Sequence, residues 1–190
     1  MNQLGQLLLV VLAALTVENV FFSQGMGFYE LLRGAKKGKN ITAYAALLTL
    51  FSAGSGMITH GLAPFIPTEK RVWVFLLAAG VVLAWYLVVC LVLVMAFPHM
   101  YRRVNWCIGP AAINTVVFSI PFLAEQQQWS AWEVLGFSLG TGILFWLIVW
   151  VMTEHLPKFR NMSMPAAFRG IPAAFLFLGI LALGFLGFVH

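Results

Sequence analysis

The sequence predicts an all-α, polytopic membrane protein with six transmembrane helices. Three observations carry this. First, 62% of the 190 residues are hydrophobic and 9% charged, with a mean hydropathy of +0.93. A soluble domain is about 45–50% apolar and about 25% charged, so these few charges could not cover a water-soluble fold of this size. Second, polar punctuation cuts the chain into six apolar stretches of about 18–26 residues, each enough for a helix to cross a hydrocarbon core of about 30 Å. Third, the ten-residue alternation of an outer-membrane barrel is absent. Lipid cannot satisfy an open backbone, so each stretch must be helical. The same composition excludes disorder, and two cysteines exclude a disulfide scaffold.

The first span runs from about Leu4 to Phe28. It lacks a basic leader and a small-x-small cleavage site, and is too long for a signal-peptide core, so it reads as a retained span. The second runs from Ile41 to Ile66, the third from Val72 to Phe97 and the fourth from Cys107 to Ala124. The fifth covers Trp132–Thr153 and the sixth Ile171–Val189. Trp73, Trp106, Trp129 and Trp132 stand at expected span ends, where indoles favour the interface.

The net charge of +5 reports topology rather than nucleic-acid binding. Arg33, Lys36, Lys37 and Lys39 follow span one, Arg102 and Arg103 follow span three, and Lys158, Arg160 and Arg169 follow span five. Only Lys70 and Arg71 fall on the other side. By the positive-inside rule the first group faces the cytoplasm and both termini face out. A single membrane domain over 1–190 then divides into two three-helix repeats, about 1–98 and 99–190, of opposite orientation. Inverted repeats of this kind are common in transport proteins.

The first span of each repeat is interrupted. Span one holds Glu18, Asn19, Ser23, Gln24, Gly25 and Gly27; span four holds Gly109, Pro110, Asn114, Ser119 and Pro121. Asn19-Val-Phe-Phe-Ser23 faintly echoes Asn114-Thr-Val-Val-Phe-Ser119. Paired, interrupted spans point to a midplane site, and Glu18, Asn19 and Asn114 are its candidate polar residues. Glu18 is the one carboxylate well inside a span. A charge there costs about 2.5–3.5 kcal/mol on insertion scales; it reads either as an ion-handling group or as a carboxyl that locks helices together.

His60, His99, His155 and His190 share no metal-ligand spacing, and Cys90 and Cys107 read as packing residues. Gly136 and Gly140 form a small-xxx-small pair for close helix approach, and Gly179, Gly184 and Gly187 thin part of span six. Phosphate-loop, zinc-protease and nucleophile-elbow patterns are absent, so a self-contained catalytic site is not expected.

Several stretches, in order, resemble the membrane subunits of the Rnf and Na⁺-pumping NADH:quinone oxidoreductase (Nqr) complexes, of the RnfA/NqrE type. Pro98-His-Met-Tyr101-Arg102, followed by Asn114, is similar to that family's Pro-x-x-Tyr-Arg run leading to Thr-Asn-Cys. Pro165-Ala-Ala-Phe168-Arg169-Gly170 resembles its Pro-x-Pro-Phe-Lys-Gly turn. Glu18-Asn19 stands where the family has Asn-Asn, and Lys36-Lys37 where it has a basic pair. Gly136-Phe137 with Gly142, and the tail through Gly184 and Gly187-Phe188, are also similar.

The resemblance implies six spans with both termini outside, in a prokaryotic cytoplasmic membrane. It implies a lipid environment and a hetero-oligomer with a homologous, inverted membrane subunit and with redox subunits, and no nucleic acid. In that family, one cysteine in the first broken helix and one in the fourth join two from the sister subunit around a [2Fe–2S] cluster. By position those sites are Tyr29 and Thr115 here, and neither normally ligates such a cluster. The expected role is therefore a membrane subunit of an ion-translocating electron-transport complex that binds no cofactor or metal by itself. The alternatives are a small ion or solute transporter on the same fold, or a purely structural subunit; in each case this chain is at most a non-catalytic part of an oxidoreductase.

Overall fold

The computed structural model describes residues 3–16, 18–37, 40–66, 71–161 and 165–187. Lys39, Lys70 and His190, used above for sidedness and ligand spacing, lie outside the described residues, as do Phe188 and Val189 at the end of the sixth expected span.

Eight helices carry the fold, and no strand occurs among the described residues. They are α1 (Gln3–Leu15), α2 (Phe28–Lys37), α3 (Ile41–Leu62), α4 (Arg71–Ala96), α5 (Pro98–Ala112), α6 (Thr115–Gln126), α7 (Ala131–His155) and α8 (Ile171–Leu186). By length and apolarity three helical segments can cross a membrane: Ile41–Phe65, Trp73–Ala96 and Ala131–His155. A fourth crosses if α5 and α6, bent by 47° at their junction, are counted as one broken span. The first and last expected spans are shorter than the sequence suggested. Helix α1 stops at Leu15 rather than Phe28, and α8 has 16 residues, about 24 Å at 1.5 Å per residue.

The fourth span also begins earlier than expected. Helix α5 starts at Pro98, only one residue after α4 ends. Proline suits this first helical position because its missing N–H would be unpaired there anyway. His99, Arg102 and Arg103 therefore ride on α5 rather than on a connecting loop. His155 is likewise the last residue of α7, its ring stacked on Phe177 at 5.0 Å.

Helices α3 and α7 hold the centre. Helix α7 starts with a capping box: the Ser130 side chain accepts from the Glu133 N–H, and Glu133 Oε2 accepts from the Ser130 N–H at 2.6 Å. Such a box satisfies donors that a helix start leaves orphaned. The glycines of α7 then admit two neighbours. A Cβ on Gly140 would sit 2.7 Å from Ala14 Cβ and 2.8 Å from the Val11 carbonyl of α1, and one on Gly136 would crowd Leu7 and Val10. On another side, a Cβ on Gly142 would collide with Thr49 of α3. The small-xxx-small pair is thus a seat for α1, the packing use such pairs have in membranes. A Cβ on Gly179 or Gly184 would meet nothing within 4 Å among the described residues, so neither seats a close neighbour as Gly136 and Gly140 do.

The interior is aromatic. Tyr44, Phe21, Phe51, Phe137 and Phe145 are fully buried. Tyr44 lies edge-on to Phe145 and to Trp106, with ring centres at 4.9 and 5.8 Å. Two of the four indoles expected at the interface also pack inside the chain: Trp106, half-buried, on Tyr44, and Trp129, buried, against Phe137. Trp73 and Trp132 are exposed.

Candidate functional site: two helix breaks in contact

Backbone inside a membrane leaves its helix only where something else satisfies it. Two helix breaks stand out among the described residues, and of these the second lies within a pair of helices long and apolar enough to span together. The first separates α1 from α2 across residues 16–27; the second separates α5 from α6 at Ile113 and Asn114.

One asparagine staples each break. At the first, Asn19 Nδ2 donates to the Thr16 carbonyl at 2.9 Å, while Asn19 Oδ1 accepts from the N–H groups of Phe22 (2.6 Å) and Ser23 (3.3 Å). At the second, Asn114 Nδ2 donates to the Ala111 (2.9 Å) and Pro110 (3.1 Å) carbonyls, and its Oδ1 accepts from Val117 N–H at 2.9 Å. Both side chains reach back three residues to a carbonyl that has lost its helical donor. Both reach forward three residues to an N–H that has no helical acceptor. An amide is the side chain that carries donor and acceptor together. Asn19 and Asn114 are 1% and 4% exposed, so these bonds form away from water. Pro110 lies within α5 and offers no N–H to the Trp106 carbonyl one turn back.

The two breaks touch. Gly27 N–H donates to Thr115 Oγ1 at 3.1 Å, across 88 positions of sequence. Gly27 has φ +77°, and a Cβ there would lie 2.5 Å from Val116 Cγ2 and 2.8 Å from Phe21 Cε1. Only glycine allows both the left-handed backbone and this approach. Thr115 itself is exposed, so the junction opens on the outside of the chain. Phe21 and Phe22 anchor the first break, against Phe145 of α7 and Phe185 of α8, with ring centres at 5.9 and 4.8 Å.

The sequence-derived candidates divide accordingly. Asn19 and Asn114 each bond across one break, Asn114 as the N-cap of α6 and Asn19 nine residues ahead of α2. Thr115 stands at the junction. Tyr29 does not: it is 67% exposed on α2 and lines a groove facing α8. The residue that meets Thr115 is Gly27, which in the sequence stands out only as part of an irregular stretch. Its signal is Gly25-x-Gly27, two glycines placed just before a helix restarts. Glu18 is exposed rather than enclosed by the junction.

The donor set at the junction is one hydroxyl already engaged by a backbone N–H, with apolar Val116 and Phe21 around it. That chemistry does not fit an iron–sulfur cluster, which is held by thiolates. Cys107 is buried on α5, its thiol 3.1 Å from the Val104 carbonyl, and Cys90 is half-buried on α4. No group of three or more His, Cys, Asp or Glu able to hold a metal occurs among the described residues.

The fold is that of a helical membrane protein in which two helix breaks meet. The chain matches the family described as "Rnf-Nqr subunit, membrane protein" over residues 7–190, and belongs to that family. It is similar to an ion-translocating oxidoreductase complex subunit from Aromatoleum aromaticum, with 26% identity over 94% of each chain. It is also similar to a Na⁺-translocating NADH-quinone reductase subunit from Actinobacillus pleuropneumoniae, with 24% identity over 90% of this chain and 91% of the relative. A proton-translocating ferredoxin:NAD⁺ oxidoreductase complex subunit from Clostridium ljungdahlii is 24% identical over 95% of each chain.

Proposed function

We propose that this chain is a membrane subunit of an Rnf/Nqr-type ion-translocating electron-transport complex in a prokaryotic cytoplasmic membrane. Its partners are a homologous membrane subunit of opposite orientation and the redox subunits of the complex. The observation that carries this reading, beside family membership, is the contact of two breaks through Gly27 and Thr115 at an exposed junction. The shared three-back, three-forward bonding of Asn19 and Asn114 supports two inverted repeats, about 1–98 and 99–190, each opening with a broken helix. Six crossings with both termini outside then require α1 with α2, and α8, to serve as the outer spans.

The chain supplies no iron ligand of its own, because threonine and glycine stand at the junction and Tyr29 lies on a different surface. Its part in the complex is to hold the junction and seal the membrane around it. A transporter pathway through Glu18, Asn19 and Asn114 has less support, since both asparagine amides are committed to backbone groups.

The test is affinity purification of the tagged chain from its native membrane, with subunit identification, iron analysis and EPR. Flavin- and cluster-binding subunits and a homologous membrane subunit should co-purify. Isolation without any redox subunit would refute the proposal. A [2Fe–2S] signal from the isolated chain that disappears in T115V would refute the ligand assignment alone.

A further inference from the structure

A groove outside the junction has the chemistry of a lipid site. Helix α2 presents Tyr29, Leu32, Arg33 and Lys36 toward the start of α8, where Ile171 and Phe175 complete a cavity of about 400 Å³. The spacing of these α2 residues puts them on one helical face. A smaller cavity of about 140 Å³ continues it, sharing Leu32, Lys36 and Ile171 and reaching Gly170 and Leu156 at the end of α7. The floor is apolar, and the charged groups that line it are cations. Glu30 neighbours Arg33 on α2 but does not line either cavity.

The groove does not end at the cations. Beyond Phe175 the exposed apolar face of α8 continues through Leu176, Gly179 and Ile180 to Leu183. Ile171 to Leu183 spans about 18 Å at 1.5 Å per residue. Half a bilayer core is about 15 Å. A basic pocket beside an apolar helix face one leaflet long matches an anionic headgroup attached to an acyl chain. Basic pockets between membrane helices are known to favour such headgroups.

We propose that the α2–α8 groove binds one anionic glycerophospholipid, with its phosphate between Arg33 and Lys36 and an acyl chain along α8. The assignment requires only that the chain resides in a membrane, and so stands apart from its part in electron transport. Tyr29 acquires a role here as well, as one of the residues lining the headgroup pocket.

The experiment uses the full chain purified in micelles containing equal phosphatidylglycerol and phosphatidylcholine, with retained lipid measured by native mass spectrometry. Phosphatidylglycerol should be retained preferentially. Arg33→Gln with Lys36→Gln should lower its retention about tenfold at an unchanged unfolding midpoint, and Lys36→Gln alone about threefold, the scale expected for cations at a membrane surface. Arg102→Gln with Arg103→Gln, on α5, should leave it unchanged. Equal retention by the Arg33/Lys36 variants would overturn the site. So would an equal loss in the α5 variant, which would show unspecific surface charge. Displacement of the lipid by inorganic phosphate at matched concentration would overturn the acyl seat, and with it the lipid.

Discussion

The contact between the two breaks is testable through a pair of glycines. Gly25 and Gly27 both have positive φ, +66° and +77°. They differ in surroundings: a Cβ on Gly25 meets nothing within 4 Å, whereas one on Gly27 meets Val116 at 2.5 Å and Phe21 at 2.8 Å. Val116 and Phe21 are fully buried, so neither has room to retreat. Gly25→Ala should therefore cost only the left-handed backbone, about 1–2 kcal/mol. Gly27→Ala should cost the same strain plus overpacking of about 1–3 kcal/mol, for a total of about 2–5 kcal/mol. The assay is reversible unfolding in mixed micelles, followed by tryptophan fluorescence. The difference between the two variants isolates the approach of α6 to the first break. If Gly27→Ala proves no more damaging than Gly25→Ala, the breaks do not meet as described.

Asn19→Ala and Asn114→Ala should each destabilise by about 2 kcal/mol, from a lost cap and from carbonyls left without donors; Asn114→Asp, which keeps the acceptor but loses the donor, should fall between alanine and wild type in the same assay. Thr115→Val should cost about 1 kcal/mol by removing the acceptor for Gly27 N–H, and Thr115→Ser should restore it. The hydroxyls of Ser52 and Thr59 on α3 are buried without a hydrogen-bond partner among the described residues, so Ser52→Ala and Thr59→Val should leave stability within about 0.5 kcal/mol or raise it; a loss of about 2 kcal/mol would reveal a partner. Glu18→Gln, at an exposed position, should change unfolding by less than about 0.5 kcal/mol, and a larger loss would place the carboxylate in the packed interior.

Composition and hydropathy determined the class of this protein, because a chain so poor in charge has no soluble fold open to it and lipid permits helices. The same patterns located α3, α4 and α7 to within a few residues, since a long apolar run bounded by polar residues leaves little freedom. They misjudged the ends of α1 and α5. An apolar run continues past Leu15 although the helix does not, and Arg102–Arg103 resembles a loop although it is helical. The polar residues and prolines marked where helices break, and the Asn19/Asn114 echo singled out two asparagines as pathway candidates, whose amides bond to the backbone at the breaks. Pairing was beyond them. Gly27 meets Thr115 only because α3 and α7 bring two segments 88 residues apart to one place, and Tyr29, two residues from Gly27, turns to another surface because α2 has by then restarted its helical rotation. Local sequence specifies where a backbone must leave its helix; which residue then stands against which is fixed by packing summed over the whole chain, and no window of sequence contains that sum.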